Sequence, residues 1–464
     1  MDTFAYISSR YYNVGEMGGK YVCTYCQALG YKDENRGTLT KVHFGKMCCC
    51  DNKYIMEMIP NPPRSMEHLF RPAERGSIAR TFQDNPRMFN SGVALGAVRV
   101  NDRTVRATGP AAAFKICGEV KRSMSGVVAA PGQQTHCIQT YFCDPEYQDN
   151  RRTDLLKPNR PADDQGRQKD LQVFQLLREV LTNVYDDCDN RYIASFKQAI
   201  QHLRDSNIPL DDIKISLKET PSVMAGEHPG QFHLPRCPEM AILYPQQVHG
   251  NSFRQIICEA RATSLNDGRP RCFFFSDTHQ SYNPIMYPVL FPHGTNGHHK
   301  ELRSIVEKDG KFHKISLAAY VRYILMERST HYNYILRARK LFQQFLVDMW
   351  AIDETESLKW AKGNQKQLRA SSYHAVKKAV KANKVEASGA MLVPPSFTGG
   401  QRWYDRYYQN AMALVRHFDK PTFFITMTLD VNCPEVQQHM MPGMTPYDRA
   451  DILCRVFQLK KKAY

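Results

Sequence analysis

One group of side chains in the sequence has the types and spacing of a metal site. Cys23 and Cys26 form a CxxC pair, and after a gap of 21 residues three adjacent cysteines occupy positions 48 to 50. Thiolate sulfurs are preferred ligands of tetrahedral zinc, and two pairs of cysteines complete its coordination. The sequence therefore predicts one zinc ion held by four cysteines: Cys23, Cys26, Cys48 and Cys49.

The second half of this site allows other ligand sets. Adjacent cysteines reach a single ion with difficulty, so Cys48 with Cys50, or His43 with one cysteine, would serve more easily. A further interpretation is that these residues are buried thiols beside an unrelated CxxC pair, because free cysteine is often a small core residue. The choice of the four ligands stays open at this point.

The other chemistry-bearing residues do not form a catalytic site. His298 and His299 are adjacent, and neighbouring residues of a strand face opposite sides, so we interpret them as turn residues. Residues 14–21 lack the first glycine and the final serine or threonine of a phosphate-binding loop. No GxSxG or HExxH motif occurs in the sequence. We therefore predict no catalytic residue, and we expect no enzymatic activity from this chain.

Length and composition indicate a globular protein. The 464 residues, of which 42% are hydrophobic, suffice for one or more substantial cores. No apolar run approaches the ~18 residues that a membrane helix requires, and the N-terminus lacks the basic start and apolar centre of a signal peptide. We expect an intracellular protein whose 14 cysteines are mostly thiols, without a disulfide framework.

Positive charge is concentrated in the last third of the chain. Of the formal net charge of +16, residues 311–464 contribute +12, from 24 lysines and arginines against 12 acids. Basic residues that recur at near-helical spacing without an acid favour a surface that follows phosphates, although a solvated helix face is an equal alternative. The residues of this predicted DNA contact are Lys362, Lys366, Arg369, Lys377, Lys378, Lys381 and Lys384.

The sequence divides into three predicted regions. Residues 1–60 are rich in cysteine and turn formers, and a proline-rich linker follows them. In residues 66–310 short apolar runs alternate with helical patterns, which predicts a mixed α/β region. Residues 315–464 are strongly helical until a strand, FFITMT, at residues 423–428. The predicted fold class is α+β.

Two helices of the last region have clear apolar faces. Leu341, Phe345 and Met349 recur at a spacing of four, with Phe342, Leu346 and Trp350 beside them, which predicts a broad buried stripe. A second helix, over residues 404–418, ends before a proline and feeds the FFITMT strand. Its apolar face is expected to pack over that strand, and it contains Tyr404, Tyr407, Tyr408, Ala411, Met412, Val415 and Phe418.

Several segments of the sequence resemble the replication and helicase proteins that Helitron transposons encode. They are YVCTYCQALGYKDEN with the later FGKMCCCDNK, SYNPIMYPVLFPHGTNGHH, ARKLFQQFLVDMWAIDE and PPSFTGGQRWYDRYYQNAMALVRHFDKPTFFITMT. Together they cover most of the chain, and the last is long and highly specific. The sequence departs from the family pattern at Asn52, which replaces a usual glycine, at Asn283, which replaces a histidine, and at the third adjacent cysteine.

The resemblance implies a role in rolling-circle transposition. In that family the strand similar to FFITMT is the first motif of a replication initiator fold, and here one face of it would carry Phe424, Thr426 and Thr428. The family's nickase chemistry needs two histidines, two apart on a strand, that hold a divalent metal, and a tyrosine that attacks the phosphate. This sequence contains no His-x-His pair. The resemblance therefore implies a nickase domain that is incomplete in this chain, without the nickase's metal site.

We therefore expect the N-terminal part of a Helitron-type transposase, which binds DNA, mainly single-stranded, and lacks nuclease and helicase activity. Zinc is the expected cofactor, and a nuclear location follows from the DNA partner. The alternative is a domesticated interaction protein, in which the zinc module and the middle region bind protein partners and the basic face is incidental.

Overall fold

The computed structural model shows a helical core around the cysteine segment. The described residues are 21–71, 73–74, 76–100, 135, 140–141, 143–156, 164–194, 197, 276–370, 392–423 and 426–463, together with short strand segments between residues 104 and 274.

These residues form two compact units. The first contains the described residues up to Phe345 and those from Val431 onward, and the second is Leu346–Asp430. The boundaries predicted near residues 60–66 and 310–315 stay predictions.

Helices supply most of the regular structure. In chain order, those of the described part are α1 (Arg64–Glu67), α2 (Ile78–Asp84), α3 (Pro86–Val93), α4 (Pro145–Leu156), α5 (Gln165–Leu181), α6 (Tyr282–Met286), α7 (Leu317–Ile324), α8 (Lys340–Gly363), α9 (Gln365–Ala370), α10 (Gln401–Phe418), α11 (Pro434–Gln437) and α12 (Ala450–Ala463). None of these helices is both long and apolar enough to cross a membrane.

The prediction of an α+β fold is wrong. The part of the chain that is described with its side chains is about 51% helical and contains no complete β-strand. The strands whose backbone is described have three to six residues each. They are β1 (Ala97–Val100), β2 (Thr104–Arg106), β3 (Phe114–Ile116), β4 (Val120–Ser125), β5 (Lys214–Leu217), β6 (Met240–Leu243) and β7 (Cys272–Phe274). They pair in small antiparallel sheets ordered β1-β4-β7, β2-β3 and β5-β6.

The prediction of a strand at FFITMT is also wrong. Residues 421–423 and 426–430 have no regular secondary structure, and Phe424 lies outside the described residues. Thr426 and Thr428 are exposed and belong to no strand. Alternation of apolar and polar residues predicts a strand only where a neighbour accepts its ladder hydrogen bonds, and no such pairing is described for this segment.

Helix starts in the first unit follow from side-chain caps. The hydroxyl of Ser77 accepts a hydrogen bond from the Arg80 amide ahead of α2, and Ser316 does the same for the Ala319 amide ahead of α7. The carboxylate of Asp164 accepts one from the Arg167 amide ahead of α5. Each cap satisfies an amide that has no partner inside its helix, a contribution of about 1 kcal/mol.

The core of the first unit is aromatic. The ring of Phe174 on α5 lies 5.0 Å from that of Phe89 on α3, and the Phe70 ring lies 5.5 Å from that of Phe82 on α2. Gly92 permits the close approach of α3 and α5, because a Cβ there would lie only 2.5 Å from the Phe174 ring. The predicted stripe of α8 is confirmed as buried at Leu341, Phe342, Phe345 and Met349, whereas Leu346 is only partly buried and Trp350 is 62% exposed.

The SYNPIMYPVLFP segment is a packing element of this core. Every residue from 281 to 292 is buried. Its backbone is held from several sides: the Leu95 amide donates to the Ile285 carbonyl, the Asn90 amide to the Met286 carbonyl and the Tyr334 hydroxyl to the Leu290 carbonyl. This segment therefore packs into the core of the first unit.

Candidate metal centre

The four predicted cysteines converge on one point. The sulfurs of Cys23, Cys26, Cys48 and Cys49 all lie within 4.8 Å of one another. All four residues are buried, with 7% exposure at most. No other group of three or more metal-binding side chains occurs among the described residues.

The distances between these sulfurs suit a tetrahedral metal. Cys23 Sγ lies 3.8 Å from both Cys48 Sγ and Cys49 Sγ, and the last two are 3.9 Å apart. Zinc–sulfur bonds of ~2.3 Å at tetrahedral angles separate the sulfurs by ~3.8 Å. A disulfide needs ~2.05 Å, and all four cysteines are free thiols. The donor set and its spacing therefore fit zinc.

Two tight turns present the cysteines to the centre. In the first, the Gln27 amide donates to the Cys23 carbonyl at 3.0 Å, and Gln27 has a left-handed backbone with φ of 59°. In the second, the Cys50 amide donates to the Gly45 carbonyl at 2.8 Å. Asn52, at the position of a usual glycine in the resemblance, has φ of 68°, a conformation that asparagine tolerates better than most residues.

The alternative ligands point elsewhere. Nδ1 of His43 lies 2.5 Å from a carboxylate oxygen of Asp51 and therefore faces that residue. Cys50 is only partly buried, and its backbone is left-handed with φ of 51°. Neither residue belongs to the converging group. The turn therefore places the adjacent residues Cys48 and Cys49 in one site and leaves Cys50 outside it.

Mutual hydrogen bonding polarises the thiols. Hydrogen bonds with Cys26, Cys48 and Cys49 hold the pKa of the Cys23 thiol well below its usual range. Hydrogen bonding to Cys23 and Cys26, with burial, raises the pKa of both Cys48 and Cys49. Zinc would bind these sulfurs as thiolates and release their protons.

Arg328 places a buried positive charge beside the centre. Its Nε donates to the Cys26 carbonyl at 2.9 Å, and its guanidinium lies over the Tyr323 ring at 4.3 Å. It is 5% exposed, and none of the ion pairs within the described part of the chain includes it. A zinc ion with four thiolates carries a net charge of −2, so the centre would supply the countercharge that this guanidinium otherwise lacks.

Further contacts join the cysteine segment to the C-terminal part of the first unit. The Leu29 amide donates to the Glu327 carbonyl at 2.8 Å, and Nε of Arg455 on α12 donates to the buried carboxylate of Glu34 at 2.9 Å. Glu327 also pairs with Arg449 at 3.1 Å. The cysteine segment is therefore tied into the core of this unit.

The structure brings only part of the predicted DNA contact into view. Lys362 at the end of α8 and Lys366 on α9 are both exposed. Arg369 belongs to α9, but its side chain is not among those described. The other four predicted residues, Lys377, Lys378, Lys381 and Lys384, lie outside the described residues. Their role in DNA binding stays a prediction.

A second candidate surface was not found from the sequence. Helix α10 has no buried residue, so the face predicted to cover a strand is exposed, or partly exposed at Met412 and Val415. The signal that could have found it is the spacing of four that relates Trp403 to Tyr407 and Tyr404 to Tyr408, next to Arg402 and Arg406. That pattern is equally typical of a core helix, which is how the sequence analysis interpreted it.

One comparison with known proteins gives a match. Residues 320–464 match the family described as a Helitron helicase-like domain at the N-terminus. This match runs from within α7 to the end of α12 and confirms the resemblance over about the last third of the chain. No curated protein matches the chain.

Proposed function

Because the chain carries a Helitron helicase-like domain, we propose that it acts as the DNA-binding N-terminal part of a Helitron-type transposase. It binds single-stranded DNA and does not cleave it. The observation that carries the proposal is the match over residues 320–464.

The charge distribution supports a nucleic-acid partner. Between residues 359 and 420 the sequence has 12 lysines and arginines and three acids, Glu386, Asp405 and Asp419. Lysine and arginine neutralise phosphates and release condensed counterions, which gives affinity that falls steeply with salt. Lys362 and Lys366 are exposed and therefore accessible to a phosphate backbone. A DNA partner also favours a nuclear location.

Zinc serves structure in this proposal. Cys23, Cys26, Cys48 and Cys49 would hold the ion, and all four protein ligands are then used, which is typical of a structural and not of a catalytic zinc site. When bound, the ion would tie the two turns together and to the helices packed on them. The proposed lack of cleavage rests on the chain's own residues, because the sequence has no His-x-His pair to hold a catalytic metal.

Binding across a salt series tests the proposal. We would titrate the full chain into a labelled 20-nucleotide oligothymidine and measure fluorescence anisotropy at several salt concentrations. The affinity should fall linearly on logarithmic axes, with a slope of about −0.7 for each phosphate contacted. Replacement of Lys362 and Lys366 by Gln should make this slope shallower.

The matched control is Lys311→Gln, which removes an equally exposed lysine from the first unit. It should leave the slope unchanged. Affinity that does not respond to salt, or an equal effect of Lys311→Gln, would contradict a phosphate contact through the Helitron-like domain.

A further inference from the structure

Helix α10 presents a group of exposed aromatic rings. Tyr404, Tyr407 and Tyr408 are 57%, 51% and 63% exposed. Trp403, which is partly exposed, lies beside them, with ring centroids 4.6 Å from Tyr407 and 5.0 Å from Tyr404. Large aromatic side chains usually bury most of their area in a fold, so four of them in two exposed turns require a reason. We call these four residues the aromatic face.

Two arginines flank the aromatic face. The Arg406 guanidinium lies 5.2 Å from the centroid of the Tyr407 ring. Arg402, in the first turn of the helix, is partly exposed. The helix carries Arg402, Arg406 and Arg416 against a single acid, Asp405. Positive charge beside exposed rings suits a partner that offers both negative charge and flat apolar surfaces.

We propose that the aromatic face binds single-stranded DNA by stacking bases on Trp403, Tyr404, Tyr407 and Tyr408, while Arg402 and Arg406 bind the phosphates between them. The proposal rests on the proposed function and names the site at which bases are held. Stacking on aromatic rings is independent of base identity, because every base has a π face.

Single-stranded DNA fits this surface better than the alternatives. In a duplex the base faces are already stacked on one another, so exposed rings gain nothing from them without unstacking. A protein partner or a second copy would use the whole apolar side of the helix, which continues through the exposed Leu414 and Phe418. The arginines lie next to the rings of the first two turns, which favours an anionic partner at that end.

Tryptophan fluorescence gives a direct test in the full chain. Trp350 and Trp360 are 62% and 51% exposed, so replacing both by Phe leaves Trp403 as the sole tryptophan at little structural risk. Oligothymidine should quench Trp403 emission and saturate at the concentration at which anisotropy saturates. In the same background, Tyr407→Ala should weaken binding about tenfold and Tyr407→Phe should not, since stacking needs the ring and not the hydroxyl.

Leu414→Ala is the matched control, because it removes an equally exposed apolar side chain from the same helix. It should change DNA affinity by less than about twofold. DNA that binds without quenching Trp403 would overturn the proposal and leave the proposed function intact, whereas no DNA binding at all would overturn the proposed function. Self-association in sedimentation that Leu414→Ala abolishes, with DNA affinity unchanged by Tyr407→Ala, would make the face a protein interface and overturn the proposal.

Discussion

The cysteine centre and the aromatic face of α10 are similar in sequence and opposite in environment. Both are compact groups of soft or aromatic side chains at short, regular spacing. The cysteines are buried, and two tight turns and Arg328 hold the backbone around them. The rings of α10 have no such enclosure within the described residues. The comparison shows that spacing indicates which side chains act together, whereas burial decides whether they act on the fold or on a partner.

The largest expected effect is the loss of the metal ligands. Cys49→Ser should abolish zinc binding and lower the unfolding temperature sharply, because structural zinc sites supply about 10–16 kcal/mol of apparent folding free energy. Elemental analysis of the intact chain should find one zinc per chain, and calorimetry should follow the unfolding. Cys454→Ser, at an exposed cysteine of α12, is the control and should change neither the zinc content nor the unfolding temperature. Unchanged zinc content in Cys49→Ser would remove this residue from the site.

Truncation of buried and exposed rings should sharpen the contrast. Phe174→Ala should destabilise the first unit by about 3–5 kcal/mol, since it leaves a cavity beside Phe89. Tyr408→Ala on the aromatic face should change the unfolding free energy by about 0.5 kcal/mol or less. Denaturant unfolding measures both. A large loss in Tyr408→Ala would mean that the aromatic face is part of the core after all.

Acid should destabilise the first unit through its buried histidines. Burial lowers the pKa of His279 to about 4, and burial with the charge of Arg449 lowers that of His439 to about 4. The folded state therefore favours the neutral imidazole. The resulting contribution to the free energy of unfolding is fully present above the usual pKa of 6.5 and is lost as the pH falls from 6.5 towards 4.

The variant His279→Asn isolates one of these two contributions. Nδ1 of His279 accepts a hydrogen bond from the Ser281 amide, and the asparagine oxygen can replace it without titrating. The decrease in unfolding free energy between pH 6.5 and 4 should become smaller by on the order of 2 kcal/mol. A pH profile of urea unfolding that matches the parent protein would exclude His279 as a titrating group.

The smallest effect expected is that of the charge beside the centre. Arg328→Gln should weaken zinc binding by about tenfold, because a group that supports metal ligands typically contributes ten- to a hundredfold. Competition with a chromogenic chelator measures this affinity. Arg322→Gln, on the exposed side of α7, is the control and should leave zinc affinity unchanged. Equal affinities in both variants would show that the guanidinium does not balance the thiolates.

The sequence predicted the features that depend only on residues close together in the chain. The CxxC pair and the later cysteines were correctly taken as one group, and the helix predicted at 404–418 is observed at Gln401–Phe418. The exclusion of Cys50 could not be predicted, because it depends on a left-handed backbone at that residue. Arg328 was not predicted either, since its relation to Cys26 joins positions far apart in the chain.

Patterns that depend on a neighbour were less informative. The alternation in FFITMT predicted a strand, but pairing depends on a second segment that the pattern does not specify. The sequence predicted correctly which residues form the apolar side of α10, but wrongly that this side is buried. Periodicity gives the direction of a face and not what covers it.

The most direct measurement of the central claim is a cleavage assay on DNA that the chain has bound. An end-labelled single-stranded oligonucleotide would be incubated with the full chain and magnesium or manganese, and then analysed on native and denaturing gels. The account predicts a retarded complex on the native gel and only intact oligonucleotide on the denaturing gel, because the sequence has no His-x-His pair. A shortened product or a covalent protein–DNA species would contradict it.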